Sequence, residues 1–152
     1  MHGDFSKDFK FVRGNAAPNT ALVNATYYPA SAAFIDVSGY EWVNVHINLG
    51  TIADAVSFTL KQAEAIAGTP DTIDTANCVK TIATTDDGQD INFFLETAQL
   101  AADHHFITCL TGAVSGNNYA QIQYFLGGAR HQPVTQATAL CPSDNQFSKA
   151  AA

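Results

Sequence analysis

The sequence predicts an all-β protein: a single-domain β-sandwich or jelly roll of about eight strands, with extended arms at both ends. Three observations predict it. Residues 40–66 hold two alternating runs joined by a short polar turn, the pattern of a β-hairpin. Further short β-like runs recur along the chain, separated by Gly, Pro, Asn and Asp at positions that favour turns. The length of 152 residues suits one domain, and such a domain buries roughly 70% of the surface its unfolded chain exposes.

Taken in order, residues 1–19 read as an irregular N-terminal arm, punctuated by Gly3, Gly14 and Pro18. Phe5, Phe9 and Phe11 are scattered among its charges, and so many rings in a polar segment predict docking on this domain or on a neighbour. Residues 20–130 form the β domain. Its expected strands cover 21–28, 32–37, 42–49, 55–65, 78–84, 91–96, 104–111 and 119–126. Turn formers divide them: Ser38-Gly39, Gly68-Thr69-Pro70-Asp71, Asp86-Asp87-Gly88 and Ser115-Gly116-Asn117-Asn118. In the first strand of the hairpin, Val43, Val45, Ile47 and Leu49 share one face, while Trp42, Asn44, His46 and Asn48 share the other. Residues 96–103 have helical propensity over scarcely two turns and read as a connection between strands. Residues 131–152, with Pro133 and Pro142, read as an extended C-terminal arm.

A strand with one solvated face should be polar at every outward position. Phe34, Trp42, Phe94, Phe106 and Phe125 instead fall where a monomer would expose a ring, which predicts a contiguous patch meant to be covered. With Phe5, Phe9, Phe11, His46 and Tyr119 they make up the candidate interface residues. A cyclic homo-oligomer, with a trimer among the options, would cover such a patch; burial under the terminal arms is the competing account.

Composition restricts the partners. A net charge of −7 with seven Lys and Arg offers no basic stripe for a phosphate backbone, so nucleic acid is not expected. No apolar run is long enough to span a bilayer, and Met1–Lys10 lacks the apolar core of a secretory signal. Asn24-Ala25-Thr26, although it fits a glycosylation acceptor, reads as strand sequence. Cys78, Cys109 and Cys141 are an odd number without a C-x-x-C pair, which suits free thiols and synthesis in a reducing cytoplasm. Only 14% of residues are charged, against roughly 25% in average soluble domains, so much of the exterior must be neutral.

Catalytic and cofactor chemistry finds no motif. His104 and His105 are adjacent and on a strand would point to opposite faces, while His2, His46 and His131 stand apart, so no metal site is expected. Asp86-Asp87-Gly88-Gln89-Asp90 is acidic but lacks the spacing and closing Glu of a calcium loop, and reads as a solvated turn. There is no G-x-S-x-G, no phosphate loop and no H-E-x-x-H; Gly127-Gly128 follows a strand but leads to no helix, so it is not a dinucleotide fingerprint. The expectation is a protein that is not an enzyme and carries no cofactor.

Two stretches carry a resemblance. Residues 38–50, Ser-Gly-Tyr-Glu-Trp-Val-Asn-Val-His-Ile-Asn-Leu-Gly, with Phe58-Thr59-Leu60-Lys61-Gln62-Ala63 after them, form the first. The late run Tyr119-Ala120-Gln121-Ile122-Gln123-Tyr124-Phe125-Leu126-Gly127-Gly128-Ala129-Arg130, with Pro133 beyond, forms the second. Over about residues 20–134 this pattern of strands resembles small virion proteins of tailed bacteriophages, of the capsid decoration or cement type. The resemblance implies a β-sandwich or jelly roll, location in the virion after assembly in the host cytoplasm, and the major capsid protein of a phage head as partner. It implies no catalytic residues. A carbohydrate-binding or receptor-binding module of a head or tail fibre, a head-tail or tail structural protein, and least of all a small hydrolase remain alternatives.

Overall fold

The computed structural model describes residues 9–15, 19–73 and 77–130. Among these residues the chain is all-β, with ten strands in two antiparallel sheets of four and six strands. The first sheet runs β1 (Lys10–Arg13), β10 (Ala120–Gly127), β4 (Trp42–Leu49), β8 (Asp90–Glu96). The second runs β2 (Tyr27–Tyr28), β9 (Phe106–Thr111), β5 (Val56–Ala63), β6 (Asp71–Thr72), with β3 (Ile35–Asp36) also on β9 and β7 (Val79–Ile82) also on β5. No helix of the described residues is long and apolar enough to cross a membrane.

Alternation decides which face of each strand is inside. Val43, Val45 and Ile47 of β4 are 0% exposed, and Ile122, Tyr124 and Leu126 of the neighbouring β10 are equally buried. From the second sheet Phe58, Leu60, Ile107 and Cys109 join them in one apolar cluster, so the two sheets share a core. Burying each of the Val, Ile, Leu and Phe side chains among them is worth roughly 1.5–3 kcal/mol. Tyr124 is large and polar-tipped, and its hydroxyl donates to the carbonyl of Tyr28 at 2.5 Å, which ties the first sheet to the second and satisfies a buried group.

The hairpin expected over residues 40–66 does not form. β4 pairs with β10 and β8, whereas β5 pairs with β9, β6 and β7, so the link from residue 50 to residue 55 crosses from one sheet to the other. Two strands with one apolar face each can pair side by side or stack across a core, and alternation alone does not distinguish these. The link decides it. Ile52 turns inward and is 3% exposed, its N–H donating to Asp87 Oδ1 at 2.8 Å, while Ala53 N–H donates to Asn118 Oδ1 at 2.7 Å.

Other expected elements shrink or shift. The irregular arm of residues 1–19 contributes β1, an edge strand whose Lys10–Arg13 pair with Leu126–Gln123. Of the run 21–28 only Tyr27–Tyr28 is strand, because Ala25 turns the chain at φ 47° and Leu22 N–H is held by the Asn118 carbonyl. The run 32–37 is reduced to Ile35–Asp36, and β6 arises from the Pro70-Asp71 region read as a turn. The helical segment 96–103 is a single 3-10 turn, Thr97–Gln99, ended by Leu100, whose backbone is extended at φ −70° and ψ 150°. So short a segment cannot repay helix nucleation.

Candidate functional site

The outer face of the first sheet gathers most of the candidate interface residues that fall within the described part of the chain. Register places them in rows across β1, β10, β4 and β8. Phe11, Phe125, Asn44 and Phe94 form one row; Arg13, Gln123, His46 and Asn92 form the next; Gln121, Asn48 and Asp90 follow. At the other end Gly127, Trp42 and Glu96 are level. Residues opposite one another in antiparallel strands point the same way, so these side chains form one surface.

The aromatic rings occupy one end of that surface and touch in sequence. Phe9 lies 5.6 Å from Trp42 between ring centroids, and Trp42 lies 5.8 Å from Phe94. Phe11 meets Phe125 edge to face at 4.7 Å, and His46 meets Phe125 at 6.3 Å. The rings brought in by the N-terminal segment thus cover Trp42 and Phe125, which become half-buried. Phe94, at the free edge, stays 61% exposed. The patch expected to need a partner is therefore covered in part by the chain's own first strand, and its open portion is Phe94 with the neutral polar rows beside it.

Below the rings the face is amide-rich. Asn48 Nδ2 donates to Asp90 Oδ1 at 2.7 Å, and His46 Nε2 lies 3.3 Å from the same oxygen. Asn44 Oδ1, between Phe125 and Phe94 in its row, is buried and has no hydrogen-bond partner among the described residues. A buried amide oxygen left without a donor costs about 1–3 kcal/mol.

Three candidate residues sit elsewhere. Phe34 is 3% exposed, in edge-to-face contact with Tyr27 at 6.0 Å, and so belongs to the chain's own interior. Phe106 opens β9 on the outer face of the second sheet, on the opposite side of the molecule, because Ile107 and Cys109 take the inward positions. Tyr119 lies just before β10, where its carbonyl accepts from Gly50 N–H at 2.8 Å, at the end away from Trp42. Phe5 lies outside the described residues, as do His2 and His131.

Beside Phe94 and Trp42 the surface dips into a groove of about 710 Å³. Its walls come from Glu41, Glu96, Thr97, Leu100, Asp103, His104, His105 and Arg130. None of the carboxylates or Arg130 stood out in the sequence; what assembles them is the β4–β8 register, which sets Glu96 opposite Trp42. His104 and His105 precede β9 and both line this groove, contrary to the expectation of opposite strand faces. His104 is held by the carbonyl of Ala102 at 3.0 Å and by Asp71 Oδ2 at 3.1 Å, and these bonds push its imidazole above the usual range against partial desolvation. Among the described residues no cluster of three or more His, Cys, Asp or Glu could hold a metal ion. The acidic turn is occupied by structural bonds: Asp86 accepts from Ala83 N–H at 2.8 Å, and Asp87 holds Ile52.

Compared with protein-family models and with curated proteins, the chain matches none.

Proposed function

We propose that this chain is a structural protein of a phage virion, of the capsid decoration type, that binds the outer surface of the head through the outer face of its first sheet. One observation carries the reading: an exposed Phe94 beside Trp42, at the end of a sheet face rich in Asn and Gln side chains, in a chain with few charges. Such a surface suits noncovalent attachment, in which aromatic burial supplies affinity and amides supply hydrogen-bonded register. The two sheets sharing one core support a β-sandwich or jelly roll, the architecture of such proteins. Attachment as a homo-oligomer, such as a trimer, would bury Phe94 between subunits or against the shell.

The test is imaging of intact particles together with binding of the purified chain to heads that lack it. Many copies over the head, and binding weakened by Phe94→Ala, are the expected results. Copies confined to the tail or to one vertex would move the chain to a tail or connector role.

A second reading is favoured by one feature, the pairing of Trp42 and Phe94 at the rim of a groove that also holds hydrogen-bonding side chains. This could serve a carbohydrate-binding module, with the rings as a stacking platform. A glycan array separates it from the first reading.

A further inference from the structure

We propose that β8 pairs antiparallel with β8 of a second copy of the chain, about a two-fold axis at Asn92, and so joins two four-stranded sheets into one. The backbone shows which groups are free to do this. Thr97 N–H donates to the Glu41 carbonyl at 2.9 Å and Leu49 N–H to the Gln89 carbonyl at 2.8 Å. These bonds bracket the β4–β8 register and fix its alternation, so Val43–Leu95, Val45–Phe93 and Ile47–Ile91 are the hydrogen-bonded pairs. The backbone N–H and C=O groups of Asp90, Asn92 and Phe94 therefore point away from β4, and no described residue bonds them. This open window is closed at both ends: Glu96 N–H donates to Gln99 Oε1 at 3.0 Å, and Gly88 N–H to the Gly50 carbonyl at 3.4 Å. The other edges among the described residues are guarded or short. β1 carries Lys10 and Arg13, β7 carries Lys80 at the parity of the buried Ile82, and β2, β3 and β6 have two residues each. β8 runs seven residues with no Lys, Arg or Pro.

The strand is its own complement. Centred on Asn92, the pairing sets Asn92 opposite Asn92 and Asp90 opposite Phe94, and every free backbone group finds a partner. Centring on Phe93 would set Asp90 opposite Glu96, two carboxylates, and centring there or on Phe94 would call on the Glu96 N–H that Gln99 holds. Centring on Ile91 would call on Gly88, whose N–H is taken. Residues opposite one another point the same way, so the outer faces of the two copies would form one continuous surface. The pairing does not depend on what that surface binds.

Sedimentation of the intact protein from micromolar to millimolar concentration is expected to show a monomer–dimer equilibrium. Asn92→Lys and Asn92→Glu, at an exposed position, each place like charges face to face across the axis and should each weaken dimerisation about fivefold or more. An equimolar mixture of the two variants should restore it. Amide exchange is a second readout: the N–H groups of Asn92 and Phe94 should be protected only where the dimer forms, and those of Ile91, Phe93 and Leu95 at every concentration. A monomer throughout, a trimer or dimer indifferent to both variants, or a mixture no stronger than either variant alone overturns the inference. So does protection of Asn92 and Phe94 in the monomer, which would assign the edge to another part of the same chain. Binding to heads is measured in parallel. Heads bound by a chain that stays monomeric overturn the edge pairing and leave the head-binding reading standing; a dimer with no affinity for heads does the reverse.

Discussion

The indole of Trp42 lies across Gly127, its partner in the β4–β10 register, so closely that a Cβ at Gly127 would stand 2.0 Å from Trp42 Cζ2. A glycine in a strand interior weakens the strand unless something uses the space, and here the ring fills it. The same position of the indole brings it against Phe9 on one side and Phe94 on the other.

Gly127→Ala should therefore displace the ring rather than stabilise the strand. The expected cost is about 1–3 kcal/mol, the usual penalty for overpacking, with a red shift of Trp42 emission. Phe94→Ala, removing a ring already 61% exposed, should change stability by less than about 1 kcal/mol in the same urea titration.

Asn118 closes the link between the sheets. It is 0% exposed; its Oδ1 accepts from Ala53 N–H at 2.7 Å and Asp54 N–H at 3.2 Å, while its Nδ2 donates to Asp54. Asn118→Ala strands these groups and should lower stability by about 2–3 kcal/mol, measured by chemical denaturation.

Asp54 gives this closure a pH dependence. The Ser115 backbone N–H, then the Ser115 hydroxyl, followed by Asn118 and Gly116, hold its carboxyl below the usual value of 3.8 against a smaller opposing desolvation. A carboxylate depressed in the folded state contributes stability that is complete above its unfolded pKa and is lost as pH falls through the folded one. The loss is thus expected on acidification below about pH 4. Asp54→Asn should flatten the stability profile there, as read from melting temperatures across that range.

His104 works in the opposite direction. Its imidazole is raised above 6.5, first by the Ala102 carbonyl and then by Asp71. A base raised in the folded state contributes stability that is fully present below the unfolded pKa and is lost as pH rises through the folded one. Melting temperature should fall over that window in the wild type, and His104→Gln should remove this component. An NMR titration of the His104 ring that gave a value at or below 6.5 would defeat the prediction.

Cys109 is fully buried beneath the second sheet, and desolvation pushes its thiol up to about 12 despite a bond from the Thr59 backbone. Cys78 is buried as well. With Cys141 replaced by Ser, a thiol reagent at neutral pH should label neither until the chain unfolds.

Alternation along β4, β5, β8 and β10 was readable in advance because a period of two follows from strand geometry, and every inward residue named for β4 is buried. The partner of each strand was not readable. Val43 to Leu49 and Val56 to Leu60 look alike whether they pair as a hairpin or face each other across the core, and the choice rests on Ile52, Asp87 and Asn118, which are far apart in sequence. The candidate face was legible in part for the same reason. Trp42, Phe94 and Phe125 fell on outward positions by parity, but Phe34 is drawn into the interior by the turn before β3, and Phe106 lies on the other sheet.

By itself, then, the sequence determined the all-β class, the inward face of each long strand and the surplus of aromatic side chains on outward positions, all consequences of local geometry and composition. Tertiary structure alone decided that β4 and β5 separate into different sheets, that Phe9 and Phe11 cover Trp42 and Phe125, and that Glu41, Glu96 and Asp103 meet around one groove. Those outcomes depend on strand register and on contacts between distant segments, which no local pattern encodes.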